Sequence, residues 1–390
     1  INFSQLVKSA VILSNTEHIT FDGLTFENLR YNAIAATANY VTVSNCLFRC
    51  ISASPVTING SNNTIIDNEF CNLGGGAISV SGGDIANQIP SNTLVTNNCI
   101  HDWSQVYTVY NAGITTSGFG FVLSHNDLYN SPHEAIAFNS GLTTIEYNEI
   151  YNVCTETFDA GAIYAGRRWD WGNDDIRFNY IHDQHSANGI YLDDTMAKIT
   201  CYGNIIVNVD GNAFALGGGR NLTIYNNILI NTSGIGLDGR GYGWYPTVTS
   251  YPDGYLWTQN MGANYLTDLW KYRHPEYLSI LEMRTTEEMK ELKGIVGDLL
   301  DSPAPPSYAN IYGNIGYNND GAAIAERGAY IFNRIRYLAL NNNEDGSSPT
   351  SPKIEYSAYP FGNVANNLEY LENELADVFV NPSDNNFFLR

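Results

Sequence analysis

The chain has 390 residues, of which 44% are hydrophobic and only 15% charged, and its net charge is −21. That acidity excludes a nucleic-acid binder, which needs clustered Lys and Arg, and weighs against a polyanionic substrate, so a neutral polymer is the easier partner. No run of 18 apolar residues offers a membrane span, and the six Cys, which form no CxxC pair, argue against zinc and are read as buried free thiols rather than disulfides.

The first half of the chain repeats an Asn-x-apolar motif. It occurs at Asn45 ("NCLF"), Asn68 ("NEF"), Asn98 ("NCIHD"), Asn126 ("NDLYN"), Asn148 ("NEIYN"), Asn179 ("NYIHD"), Asn204 ("NIIVN") and Asn227 ("NILIN"), with a late return at Asn314 ("NIGYN"). The base period is 22 to 25 residues with insertions, which is the mark of a solenoid. Short runs such as "TIIDNEF" and "LTIYNNILI" alternate β-branched and aromatic residues and read as strands. One strand set per coil stacks in parallel, and an Asn at the same turn of every coil can satisfy backbone groups of the next. Asp183 falls at a second ladder position, shared with Asn130, Asn152, Asn208 and Asn231, and is read there as structural.

A second column aligns the rungs on Ile78, Ile114, Ile136, Ile163, Ile190, Phe214 and Ile235, with these side chains inward. Tyr164 and Tyr191 then face outward, one above the other. Gly166, Asp193, Gly217 and Asp238 share the outer face three residues later, followed by Arg167 and Asp194. The rung between Asn148 and Ile163 is longer than its neighbours, so "TETFD" is extra length lifted off the coil. "RRWDWGND" adds more after the strand.

From Trp244 the repeat stops. Residues 244–307 carry apolar residues at helical spacing and a capping box from Thr285 to Glu288, ending at "SPAPPS". They predict a helical insert between a solenoid over 1–243 and a last coil with a closing segment over 308–390. Its place after the rung of Asp238 and Arg240 predicts that it walls the cleft.

The repeats resemble the right-handed parallel β-helix proteins of the broad pectin-lyase-like group, and the expected fold is all-β with a small helical insert. That scaffold serves hydrolases, lyases, epimerases and adhesins, so function must come from the site. Longer phrases resemble a narrower group: "NSPHEAIAF", "NEIYNVCTETFDAGAIYAGR", "NYIHD", "GIYLDD", "ALGGGRNLTIYNNI" and "WKYRHPEYLSIL", in that order within 120–318. They are similar to glycoside hydrolase family 141 and its relatives, which implies a fucosidase- or xylanase-type activity. One departure is Glu134, where the group's usual residue is Gln.

Glycoside hydrolysis needs two carboxylates flanking the bond. Asp159 and the Asp193/Asp194 pair are the catalytic candidates, and the resemblance points to the same segments. On straight stacked strands Asp159 and Asp193 would stand over about 20 Å apart, so the Asp159 loop must fold back, or Asp238, Glu134 or Glu156 must serve instead. Arg167, Arg168, Arg220 and Arg240 offer hydrogen bonds to sugar hydroxyls or a substrate carboxylate, and Trp169, on the same loop as Trp171, offers a stacking face. His133, Glu134, Glu156, Tyr164, Tyr191 and Asp238 complete the expected substrate-binding set.

A polysaccharide lyase is the first alternative. It needs a Lys or Arg base and often Ca²⁺, whereas this chain is poor in lysine and the three rungs are read as lacking it. A non-catalytic glycan-binding solenoid is the second. No cofactor is expected, a structural Ca²⁺ aside, and the partner is a polysaccharide or oligosaccharide bound by a monomer. The chain begins at Ile1 without a visible signal peptide, and a secreted, periplasmic or cell-surface location is what the resemblance implies.

Overall fold

The computed structural model describes residues 6–166, 172–194, 196–217, 221–237 and 267–275, together with strand segments at 309–312, 314–317, 362–365, 368–370, 379–381 and 386–389. The chain coils as a right-handed parallel β-helix with three faces. Successive strands of the first face are Val11–Glu17, Ile34–Asn39, Val56–Asn59, Ile78–Gly82, the start of Ile114–Ser124 and of Ile136–Glu146, Gly161–Gly166, Asn188–Asp193, Phe214–Leu216 and Ile235–Leu237. The two long strands run on round the corner and so join the first and second faces into one 19-stranded sheet, counted among the described residues. The third face, from Thr25–Leu29 to Leu368–Tyr370, is a separate 11-stranded sheet among those residues.

The inward column is in register as its spacing predicts. Ile78 pairs with Ile114, Ile114 with Ile136, Ile136 with Ile163, Ile163 with Ile190, Ile190 with Phe214 and Phe214 with Ile235. All seven are buried, each contributing about 1.5–3 kcal/mol of transfer free energy. Inside the third face, Phe26, Phe48 and Phe70 continue the principle as a stack, with centroids 5.1 and 4.6 Å apart.

The Asn ladder runs through Asn68, Asn98, Asn126, Asn148, Asn179, Asn204, Asn227 and Asn314. From Asn98 onward each Oδ1 accepts the backbone N–H of the Asn one coil earlier, as Asn148 does from Asn126 at 3.0 Å. Each Nδ2 reaches a main-chain carbonyl, as Asn148 does to Leu123 at 3.0 Å. Buried turn groups that water cannot reach are thus satisfied by a side chain. The motif at Asn45 is one residue out of step: in that coil Cys46 holds the ladder position, its N–H donating to Asn68 Oδ1 at 2.9 Å. Asn45 occupies the preceding column, which is left-handed throughout: φ is 51° at Asn45, 58° at Asp67, 53° at Asn97 and 53° at Asn226. Asn suits both columns, the left-handed one because its short polar side chain tolerates that backbone. Where His125, Tyr147 and Phe178 take that column, their rings stack on one another at 5.0 and 5.2 Å.

The second ladder is also present: Asn208 Nδ2 donates to Asp183 Oδ1 at 2.9 Å and Asn152 Nδ2 to Asn130 Oδ1 at 2.8 Å. Of the thiols, Cys46, Cys71, Cys154 and Cys201 are buried as expected, whereas Cys50 is exposed because it lies on the left-handed end of a third-face strand.

After the break the coil resumes. Ala309–Tyr312 pairs with Thr223–Tyr225, and Ile315–Tyr317 with Ile228–Ile230. Within the predicted insert the described residues are 267–275, where Asp268–Arg273 is a helix capped by Thr267. Buried His274 follows it. The Lys198 ammonium donates to Nδ1 of His274, and Nε2 lies 3.0 Å from Gln88 Oε1. Residues 267–275 are therefore fastened to the turn that follows the strand of Asp193. No helix among the described residues is long and apolar enough to cross a membrane.

Candidate functional site

The candidate site lies on the first face: Glu134 and Asp159 precede the strands that start at Ile136 and Gly161, and Asp193 ends the strand Asn188–Asp193. Residues 154–160 leave the coil, as the extra length of "TETFD" requires, and settle on the turn before Ile136. Cys154, Thr155 and Glu156 donate their N–H groups to the carbonyls of His133, Ser131 and Pro132 at 3.1, 3.2 and 3.2 Å. Thr157 adds a side-chain clamp, its hydroxyl donating to Pro132 O at 3.0 Å. Ser186 of the next coil donates to Thr157 O at 2.8 Å and holds the loop from the other side. Asp159 is thus fixed at the exposed tip of a pinned loop.

The Thr157 hydroxyl also lies 3.0 Å from Nδ1 of His133. Since that hydroxyl already donates to Pro132, it accepts here, and His133 carries its proton on Nδ1. Nε2 is left as a lone pair, buried and without a hydrogen-bond partner among the described residues, 3.7 Å from Oε1 of Glu134. Burial lowers the pKa of His133, so the ring is neutral.

Glu134 is 5% exposed. Burial first, then the charges of Asp159 and Asp193, push its pKa from 4.5 to about 8. It is therefore a neutral carboxylic acid at physiological pH, with its proton available beside His133. Each of the two aspartates is held by a tyrosine. Tyr191 OH donates to Asp159 Oδ1 at 3.3 Å, and Tyr164 OH donates to Asp193 Oδ2 at 3.2 Å. Tyr164 and Tyr191 are register partners, as predicted, and cross edge to face. Burial and the Asp193 charge raise the Tyr164 pKa, which keeps its hydroxyl a donor.

Glycines make the room. A Cβ on Gly217 would stand 2.7 Å from Asp193 Oδ1, and one on Gly161 would stand 2.8 Å from Tyr191 Cβ. Gly166 pairs with Asp193 across the strands, as the column predicts.

Asp159 lies in the turn before Gly161–Gly166, not on a strand, and both aspartates bear on Glu134. Asp194 is buried in a left-handed turn, φ 40°, next to Asp193. Glu156 is exposed on the loop and contributes its N–H there. Arg167, Arg168, Trp169, Arg220, Asp238 and Arg240 lie outside the described residues. Lys198 corrects the lysine reading: it stands in the rung of Asp193, five residues further on, where it meets His274.

Glu134 was expected to bind substrate, or to serve as partner acid should Asp159 stand too far off, and the structure gives it the most perturbed carboxyl of this group. A sequence signal existed: it stands two residues before inward Ile136, on the same side by alternation, in the apolar run "HEAIAF".

No protein-family model matches the chain, and no curated protein does. Among solved structures, a PL6-family polysaccharide lyase from Pseudopedobacter saltans aligns with 93% of this chain and 89% of its own, at 12% identity and a TM-score of 0.43.

Proposed function

We propose that the protein is a glycoside hydrolase acting on a neutral glycan, with Glu134 as general acid and Asp193 as the base or nucleophile. The observation that carries this reading is the buried Glu134, its pKa pushed up to about 8 by burial and by the charges of Asp159 and Asp193. A group that must protonate a glycosidic oxygen near neutral pH needs a raised pKa, and its partner must stay ionised. Asp193 suits the partner's role because it ends a strand and is held by Tyr164 between two glycines, so its position is set by the coil. Asp159, on the exposed loop, orients Tyr191 and offers a hydrogen bond to a sugar hydroxyl.

A neutral substrate fits both the net charge of −21 and the acidic site, which would repel a polyuronate. The resemblance to family 141 makes xylan and fucose-containing plant or algal glycans the first substrates to try, and a location outside the cytoplasm goes with such a diet.

A hydrolysis screen over neutral glycans, with product analysis, tests the proposal. Saturated reducing sugars from the wild type, and a loss of at least about a hundredfold in Glu134→Gln, are expected for an acid catalyst. Unsaturated products absorbing in the ultraviolet would establish a lyase instead, and binding without cleavage would leave a glycan-binding solenoid.

A further inference from the structure

On the outer side of the third face, far in sequence from the site above, an aromatic stack ends in a thiol. His101 stacks on Tyr129 and Tyr129 on Tyr151, at 4.9 and 4.8 Å. The register partner of His101 in the preceding coil is Cys71. Among the described residues this is the one place where three metal-ligating atoms converge: Cys71 Sγ, a ring nitrogen of His101 and a carboxylate oxygen of Glu69 lie within 4.8 Å of one another.

The imidazole is already oriented for a metal. Its Nδ1 lies 2.7 Å from Asp102 Oδ2, which places the proton there. Nε2, with its lone pair, is directed towards Glu69 Oε1, 3.7 Å away. A carboxylate behind a ligating histidine is the usual support of such a ligand.

The same coil geometry supplies a control. His182 has Asp183 at Nδ1, 2.9 Å away, and Glu149 Oε1 at 3.3 Å from Nε2. Its register partner, however, is Tyr151. A stacked His with two carboxylates is therefore what this face builds anyway, and the thiol is the addition at His101.

We propose that Glu69, Cys71 and His101 bind a thiophilic divalent cation of the Zn²⁺ type. Tetrahedral Zn²⁺ with bonds of about 2.0 Å to nitrogen and oxygen and about 2.3 Å to sulfur sets ligand atoms about 3.3–3.6 Å apart. Small rotations of the Cys71 and Glu69 side chains close the remaining distance. Binding exchanges the thiol proton for the metal, and a water fills the fourth position. The ion would tie two adjacent coils together, joining Glu69 and Cys71 to His101, which stands 30 positions after Cys71. The lack of a CxxC pair is no obstacle, because the ligands converge through strand register and not through spacing within one loop.

The test uses the full chain, stripped with chelator under reducing conditions and titrated with Co²⁺ and then Zn²⁺. One equivalent of Co²⁺ should bind with a thiolate-to-cobalt absorption band, be displaced by Zn²⁺, and raise Tm. Cys71→Ser should abolish the band. His101→Gln and Asp102→Asn should weaken binding about 10- to 100-fold, while His182→Gln leaves it unchanged. The wild-type spectrum is decisive even if a variant folds poorly. Absence of saturable one-equivalent binding, a cobalt spectrum without thiolate, or unchanged affinity in folded Cys71→Ser would overturn the proposal. So would a disulfide between Cys71 and Cys50, which lies close enough for its charge to bear on Cys71.

Discussion

The hydroxyl of Tyr191 lies 3.3 Å from Oδ1 of Asp159, so a side chain of one coil holds a loop carboxylate of the coil before it. Tyr164 works in the opposite direction, donating to Asp193 of the next coil at 3.2 Å. This crossing lets two aspartates that are distant along the strands act on one buried acid.

Tyr191→Phe keeps the ring and removes only the hydroxyl. A hydrogen bond to a charged group is worth about 1.5–3 kcal/mol, so kcat/KM should fall about 10- to 100-fold with little change in Tm. Steady-state kinetics beside a thermal melt will check this. Unchanged kinetics would mean that Asp159 needs no positioning.

Stability should fall between pH 5 and pH 8. Glu134 has a pKa of about 8 in the folded chain against an ordinary 4.5, and fully buried Asp174 is likewise raised from 3.8 to about 8, by burial above all. The folded protein keeps protons that the unfolded chain has released, so their contribution is full below the unfolded pKa and is lost as pH rises towards 8. The slope is at most about 1.4 kcal/mol per pH unit for each group. Denaturant unfolding across this range should show a shallower slope in Glu134→Gln and in Asp174→Asn. An unaltered slope in both would refute the buried neutral acids.

The ladder makes a paired prediction. Asn148→Ala leaves the N–H of Asn126 and the carbonyl of Leu123 without a side-chain partner, at about 1–3 kcal/mol for each buried group. Asn45→Ala loses only an exposed contact to Asp22 and a left-handed preference, about 1 kcal/mol. Denaturation midpoints should rank the two variants in that order, and equal losses would contradict the register at Cys46.

The coil was legible in the sequence because apolar periodicity survives insertions: all seven residues of the inward column stand where spacing put them. The slip at Asn45 arose because Asn satisfies two neighbouring columns equally, and only hydrogen-bond register separates them. The site was less legible. Asp159, Asp193 and the two tyrosines followed from the alternation and the extra length of the loop. The raised pKa of Glu134 depends on burial, which comes from the packing of residues 154–160 and of Asp193's coil around it. The apolar run around Glu134 points to that burial, but the segments that complete it lie far off in the sequence.

The seat of the insert is also open to test. His274→Ala removes the link between Lys198 and Gln88 while leaving the coil untouched. It should increase proteolysis within 244–307 and raise KM severalfold with a smaller effect on kcat, as expected for a cleft wall. Deleting 246–305 should give a folded coil with impaired substrate use. Wild-type kinetics in the folded deletion would assign the insert another purpose.

The most direct test of Glu134 as general acid compares two leaving groups. Glu134→Gln should lose at least about a hundredfold in kcat on the natural glycan, yet stay within about tenfold of wild type on a dinitrophenyl glycoside of the same sugar, whose leaving group needs no proton. Asp193→Asn should lose about a thousandfold or more on both. Equal losses for Glu134→Gln on the two substrates, or full activity on both, would contradict its role as the proton donor.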